Sequence, residues 1–208
     1  MAFAELKAHP LYQPLLLGFM TLLASATLAW ASSATRQAIA EAEARDLRDS
    51  LAQVLPEAFA DNDLLADSAD IDIGNGNPLR AYRARSGGMV KGVVFTVIGK
   101  GYGGEIAVLM AVDENGQILG ARVLKHTETP GLGDKIEIAK SGWIDTFTGK
   151  TLASANWAVK KDGGDFDQFA GATITPRAVV SAVKGGLEIF DRHKATLLGT
   201  DTREERNE

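Results

Sequence analysis

From Pro10 to Thr35 no side chain is charged, and Leu11–Ala31 is mostly Leu, Ala, Phe, Met and Gly, with Trp30 near its end. About 20 such residues in helical form cross a hydrocarbon core of roughly 30 Å, so the pattern predicts a single transmembrane helix. Lys7, the apolar run and the small residues Ala24-Ser25-Ala26 also suit a cleaved signal peptide, but the run is longer than a usual signal core, which favours retention. Lys7 before the span and Arg36 after it give almost no charge asymmetry from which to read orientation. Between Thr35 and Leu55, apolar Ile39, Leu47, Leu51, Val54 and Leu55 form an irregular helical stripe that Pro56 closes, a juxtamembrane helix. Asp61–Asp72 is acidic without the Asp-x-Asp-x-Asp-Gly order of a calcium loop and reads as a solvated connector. Gly74-Asn75-Gly76-Asn77-Pro78 is a loop.

Strand patterns follow. Leu79–Arg85 alternates polar and apolar, Met89–Ile98 is rich in Val, and Ile106–Val112 is continuously apolar. Asp113-Glu114-Asn115-Gly116 is a turn, because Asn-Gly accepts positive φ, and Gln117–His126 returns as a hairpin partner. Short turns between neighbouring strands imply antiparallel pairing. Lys135–Phe147 has helical content, Asn156–Lys160 suits a further strand, and Asp162-Gly163-Gly164 is a turn. Pro176–His193 reads as an amphipathic helix with Val179, Val180, Val183, Leu187 and Phe190 on one side, weakened but not broken by Gly185-Gly186. The tail from Thr200 is charged and expected to be mobile. The fold class is therefore α+β: an antiparallel sheet with packed helices, preceded by one N-terminal transmembrane helix. The segments are 1–34 (N-terminus and span), 35–78 (juxtamembrane helix and connector), 79–199 (one folded domain) and 200–208 (tail).

Composition narrows the function classes. A net charge of −5 over 208 residues argues against nucleic acid, whose phosphates need a basic face. The absence of cysteine excludes disulfides, thiolate metal sites, cysteine nucleophiles and cysteine-ligated iron–sulfur clusters. His9, His126 and His193 are too far apart in sequence to form a zinc pattern.

Three segments carry candidate chemistry. Gly99-Lys100-Gly101-Tyr102-Gly103-Gly104 matches G-x-G-x-x-G, but a strand follows where a dinucleotide site needs a helix, so the dinucleotide reading fails. What remains is either a turn or a place where backbone approaches a ligand. His126-Thr127-Glu128-Thr129-Pro130-Gly131-Leu132-Gly133-Asp134 is a polar loop that offers hydroxyls, a carboxylate and free amides. In Asp167-Gln168-Phe169-Ala170-Gly171-Ala172-Thr173-Ile174-Thr175-Pro176, Thr175 fits a helix N-cap and Pro176 the first helical position. An ordinary capped helix explains that segment. So does a phosphate cradle, in which unpaired amides and the helix dipole favour an anion.

The last segment resembles the flavin-attachment motif of the FMN-binding domain family, Asp-x-x-Ser/Thr-Gly-Ala-Thr/Ser-x-Thr, through Asp167, Gly171, Ala172, Thr173 and Thr175, with Ala170 departing from the usual Ser or Thr. Gly101-Tyr102-Gly103-Gly104-Glu105-Ile106, Glu128-Thr129-Pro130-Gly131-Leu132-Gly133 and Trp143…Phe147-x-Gly149-Lys150 are similar to further family segments in the same order. The resemblance implies FMN held as a phosphoester on Thr175, installed from FAD by a separate magnesium-dependent flavin transferase. It implies that Asp167 is a cofactor-binding residue, that Gly171, Ala172 and Thr173 lie at the phosphate, and that Tyr102, Gly103, Glu128, Thr129, Gly131, Leu132, Gly133 and Lys150 lie near the ring or ribityl chain. Within the family the likeness is to the branch of G subunits found in Rnf electron-transport complexes, with the C subunit of sodium-translocating NADH:quinone reductase as the alternative.

This branch implies an electron relay, not catalytic alone, in a complex coupling NADH/ferredoxin electron flow to Na+ or H+ movement. The implied partners are membrane subunits, a second covalent flavoprotein subunit and the transferase. The implied location is the cell inner membrane, with one pass and the soluble domain on the periplasmic side. No charged residue in Leu11–Ala31 offers an ion path. Two other classes stay open on the residues: a flavin reductase acting alone, although no nicotinamide site is legible, and a non-redox anchored scaffold.

Overall fold

A computed structural model describes residues 11–74, 76 and 78–200. The expected cytoplasmic N-terminus through residue 10, two asparagines of the 74–78 loop and the expected mobile tail from 201 lie outside the described residues. The chain separates into two units, Met1–Leu47 and Arg48–Glu208.

Helix α1 runs Tyr12–Val54. An 18-residue window within it has a mean hydropathy of 1.7, and none of that window is buried by protein. Leu15, Leu17, Leu22 and Leu28 are all exposed. A helical window that is apolar and uncovered by other elements matches a hydrocarbon environment, and this helix is long and apolar enough to cross a membrane. Its threonine hydroxyls are satisfied within the helix: Thr21 donates to the Gly18 carbonyl (2.9 Å), Thr27 to Leu23 (2.7 Å) and Thr35 to Ala31 (2.9 Å).

In the second unit, strands β1 (Ser68–Ile71), β2 (Leu79–Ser86), β3 (Met89–Lys100), β4 (Glu105–Asp113) and β5 (Ile118–Lys125) form one sheet in sequence order. Every neighbouring pair is antiparallel. The Asn115-Gly116 turn forms as expected, with Gly116 at φ +86° and the Asp113 carboxylate accepting from the amides of Asn115 and Gln117. The acidic connector is not wholly a connector, because its end supplies edge strand β1. Only Ile71 of that strand is buried, so it carries no alternation to read. It is held by pairing with β2 and by Arg80 on Asp70 (Nε–Oδ1 2.9 Å).

Period-2 alternation splits the sheet residues between two faces. Phe95, Val97, Ile106, Val108, Met110 and Val112 face helix α2 (Ile174–Leu197), which adds Val179, Val183, Leu187 and Phe190 to a common core. Gly186 is where helix and sheet touch: a β-carbon there would lie 2.4 Å from Met110 Sδ and 2.8 Å from Val97 Cγ1. Val94, Leu109 and Ala111 are buried on the other face, as are Leu51 and Val54 from the end of α1. A β-carbon at Gly120 would meet the Val54 carbonyl at 2.6 Å.

The helical content expected over Lys135–Phe147 takes the form of two 3-10 turns, Asp134–Ile136 and Gly142–Phe147. One further expectation is corrected. Asn156–Lys160 is not a strand; it makes a single bridge, Val159 to Phe166, and turns into a 3-10 segment at Lys160. Its aromatic residue goes to a cluster instead. Trp157, Phe147 and Phe166 stack, and Trp143 meets Phe147 and Phe169 edge-on at 5.3 and 5.1 Å. That cluster replaces ladder hydrogen bonds as the fastening of the 142–169 region.

Candidate functional site

Three loops converge where β3 ends, β4 begins and β5 ends. The β3–β4 connection is a tight turn, with the Gly101 amide donating to the Gly104 carbonyl (2.8 Å). Gly103 is forced by space, since a β-carbon would lie 2.0 Å from the Thr127 carbonyl oxygen. The second loop leaves β5 at His126. The Leu132 and Gly133 amides return to the Thr129 carbonyl at 3.1 and 3.0 Å, and Gly131 takes φ +77°. The third is a turn in which the Ala172 amide donates to the Phe169 carbonyl (3.3 Å) with Gly171 at φ +82°. The Trp143 indole donates to the Asp167 carbonyl (2.9 Å), tying this turn to the aromatic cluster. Ala170 is exposed there.

The loops enclose a cavity of about 430 Å³ lined by Tyr102, Glu128, Thr129, Leu132, Gly133 and the run Gly171–Thr175. Its floor is polar and buried: Thr175 is 1% exposed and Glu128 5%. The Thr175 hydroxyl donates to Glu128 Oε2. Glu128 Oε1 accepts from the Gly103 amide (2.9 Å). The Glu128 amide donates to His126 Nδ1 (3.1 Å), and His126 Nε2 faces Glu137 Oε1 at 2.9 Å. The mouth is apolar and open, with Tyr102 74% and Leu132 40% exposed.

Sequence reasoning puts Thr175 at the helix cap, and the structure corrects this. Thr173 is the N-cap, Thr175 is the second helical residue, and no side chain caps the helix. The Thr175 hydroxyl is committed to Glu128, and Pro176, lacking an N–H, is tolerated in the first turn. The entry of α2 is held instead by Arg177. It donates to the Thr173 carbonyl (3.0 Å) and grips Asp162 through two bonds of 2.6 and 2.9 Å. That guanidinium keeps the Asp162 carboxyl below the usual carboxylate range.

Most of the expected site residues meet here: Tyr102, Glu128, Thr129, Leu132, Gly133, Gly171, Ala172, Thr173 and Thr175 line the cavity, and Gly103 holds Glu128. Gly131 shapes the loop without lining the cavity. Asp167 and Lys150 lie elsewhere. Asp167 pairs with Lys160 (2.7 Å), and Lys150 Nζ sits 5.6 Å from the Phe166 ring centre. Glu137 escapes sequence reasoning as a support of the site, and His126 is read there only as the start of the polar loop, not as a brace between Glu128 and Glu137.

A sheet with a glycine-shaped cavity at the uncapped start of its last helix defines the class: residues 101–188 match the FMN-binding domain family. The G subunit of the ion-translocating oxidoreductase complex of Cereibacter sphaeroides is 55% identical over 92% of this chain and 89% of its own length. Its counterpart from Stutzerimonas stutzeri is 46% identical over 92% and 86%. The chain belongs to this family of G subunits. NqrC of Shewanella oneidensis, known from a crystal structure, is 27% identical with a TM-score of 0.47, over 67% of this chain and 73% of that one.

Proposed function

We propose that this chain carries FMN esterified to Thr175 and relays electrons as the membrane-anchored G subunit of an Rnf-type ion-translocating complex. The observation that carries the reading is the buried Thr175 hydroxyl on the floor of a cavity within the matched FMN-binding region. The residues present fit the group. Gly171, at positive φ, and Gly133, whose β-carbon would lie 3.0 Å from Thr175 Oγ, keep the approach to that oxygen clear. The first amides of a 24-residue helix, free of any side-chain cap, suit a phosphate. Tyr102 and Leu132 offer exposed apolar surface to a flat ring at the mouth.

Bound flavin supplies uptake and release of one or two electrons, and the chain's residues do the rest. Thr175 fixes the position, the α2 amides hold negative charge, and the 126–133 loop, braced by His126 on Glu137, sets the wall. Outside the cytoplasm a dissociated cofactor is not readily replaced, which gives covalent attachment its use. The α1 helix anchors the chain in the inner membrane in one pass, with the soluble domain on the periplasmic side. The membrane subunits of the complex, its second covalent flavoprotein and a flavin transferase are the partners. Ion movement belongs to those other subunits, since the apolar part of α1 has no charged residue to offer a path.

Thr175→Val is nearly isosteric and removes the acceptor oxygen. Coexpressed with the transferase, this variant is expected to fold and to lose all in-gel flavin fluorescence after denaturation. Undiminished fluorescence would exclude Thr175 as the attachment point.

A further inference from the structure

We infer that Glu128 is the proton acceptor for ester formation at Thr175 and keeps that proton in the finished flavoprotein, a role that rests on Thr175 being the attachment point. The hydroxyl that must react is buried, and its hydrogen bond goes to the Glu128 carboxylate. That carboxylate is itself buried and oriented: the Gly103 amide occupies Oε1 and leaves Oε2 for Thr175. The backbone makes room for it from two sides, since a β-carbon at Gly101 would lie 2.3 Å from Oε1 and one at Gly133 would lie 3.1 Å from Oε2. The carboxylate is turned inward onto the buried hydroxyl at the cavity floor.

The chemistry balances without a redox partner. Thr175 Oγ forms a bond to the flavin-side phosphorus of FAD, and the bond from that phosphorus to the bridging oxygen breaks. The electron pair leaves with AMP, and the hydroxyl proton passes to Glu128 Oε2. The product is a phosphodiester anion against a carboxyl group, in a cavity lined by no Lys or Arg among the described residues. Two adjacent anions disfavour each other, so the carboxyl stays protonated and donates to the ester. Glu128 thus accepts a hydrogen bond before attachment and gives one after it.

The test uses the full-length chain in detergent with its transferase, Mg2+ and FAD, and follows covalent flavin by fluorescence and intact mass. Glu128→Gln keeps the shape and the acceptor oxygen but cannot take a proton. Its maximal rate is expected to fall by about 100-fold or more, with KM for the chain within about threefold of wild type. Infrared difference spectra of the loaded minus unloaded wild-type chain are expected to contain a carboxylic-acid carbonyl band. This second measurement needs no variant, so it decides the matter even where Glu128→Gln folds poorly. A wild-type rate in Glu128→Gln, a loss confined to KM, or no acid band on loading would overturn the role of Glu128 while Thr175 stands. Flavin on Thr175→Val would instead overturn the attachment reading beneath it.

Discussion

A β-carbon at Gly133 would lie 2.9 Å from Glu128 Cβ and 3.0 Å from Thr175 Oγ, both buried. Gly131, two residues earlier, has nothing within 4 Å and needs only its positive φ. The two glycines therefore do different work. Gly133→Ala is expected to push Glu128 and Thr175 apart, at roughly 1–3 kcal/mol by overpacking, and to slow flavin incorporation. Thermal unfolding of the variant and its fluorescence yield measure the two effects. Gly131→Ala should carry only the left-handed backbone penalty, about 1 kcal/mol, with incorporation kept. Sequence reasoning can name both glycines from the resemblance but cannot separate them, because the distinction depends on what packs opposite. For the same reason it puts Thr175 at the cap. Thr-Pro at a helix start is good local grammar, and only the tertiary position of Glu128, 47 residues away, draws the hydroxyl inward.

At the scale of elements, the legible parts are those with a strong period. The β2–β5 meander, the hairpin at Asn115-Gly116 and the apolar stripe of α2 each follow from local pattern. The edge strand Ser68–Ile71 and the 142–169 region do not. The former borrows its register from β2, and the latter is fastened by ring contacts between residues far apart in sequence. The Gly185-Gly186 pair reads in the sequence as a weakness of α2, yet only Gly185 is one. Gly186 is the helix's contact with Met110 and Val97, while Gly185 meets nothing within 4 Å. Gly186→Val is expected to destabilise by about 1–3 kcal/mol through overpacking. Gly185→Ala is expected to stabilise by roughly 0.5–1 kcal/mol through helix propensity. Opposite shifts in melting temperature of the two variants check the assignment.

For the whole molecule, the sequence carries the class and the apolar helix plainly, while its charge pattern leaves the orientation open. Topology is therefore the property to measure. Alkaline phosphatase fused after residue 208 is expected to be active, and β-galactosidase at the same point inactive, if the domain lies in the periplasm. The reverse pattern would put the domain in the cytoplasm and remove the rationale for a permanent tether. The order of the strands has a further consequence. All five pair with their neighbours in sequence, so the sheet can assemble as the chain is delivered. Among the described elements the helix bearing Thr175 comes last, and Arg83 waits for its carbonyl partners at Thr196 and Leu197, more than a hundred residues downstream. A nascent chain therefore has no finished pocket until residues 174–197 have followed the sheet off the ribosome.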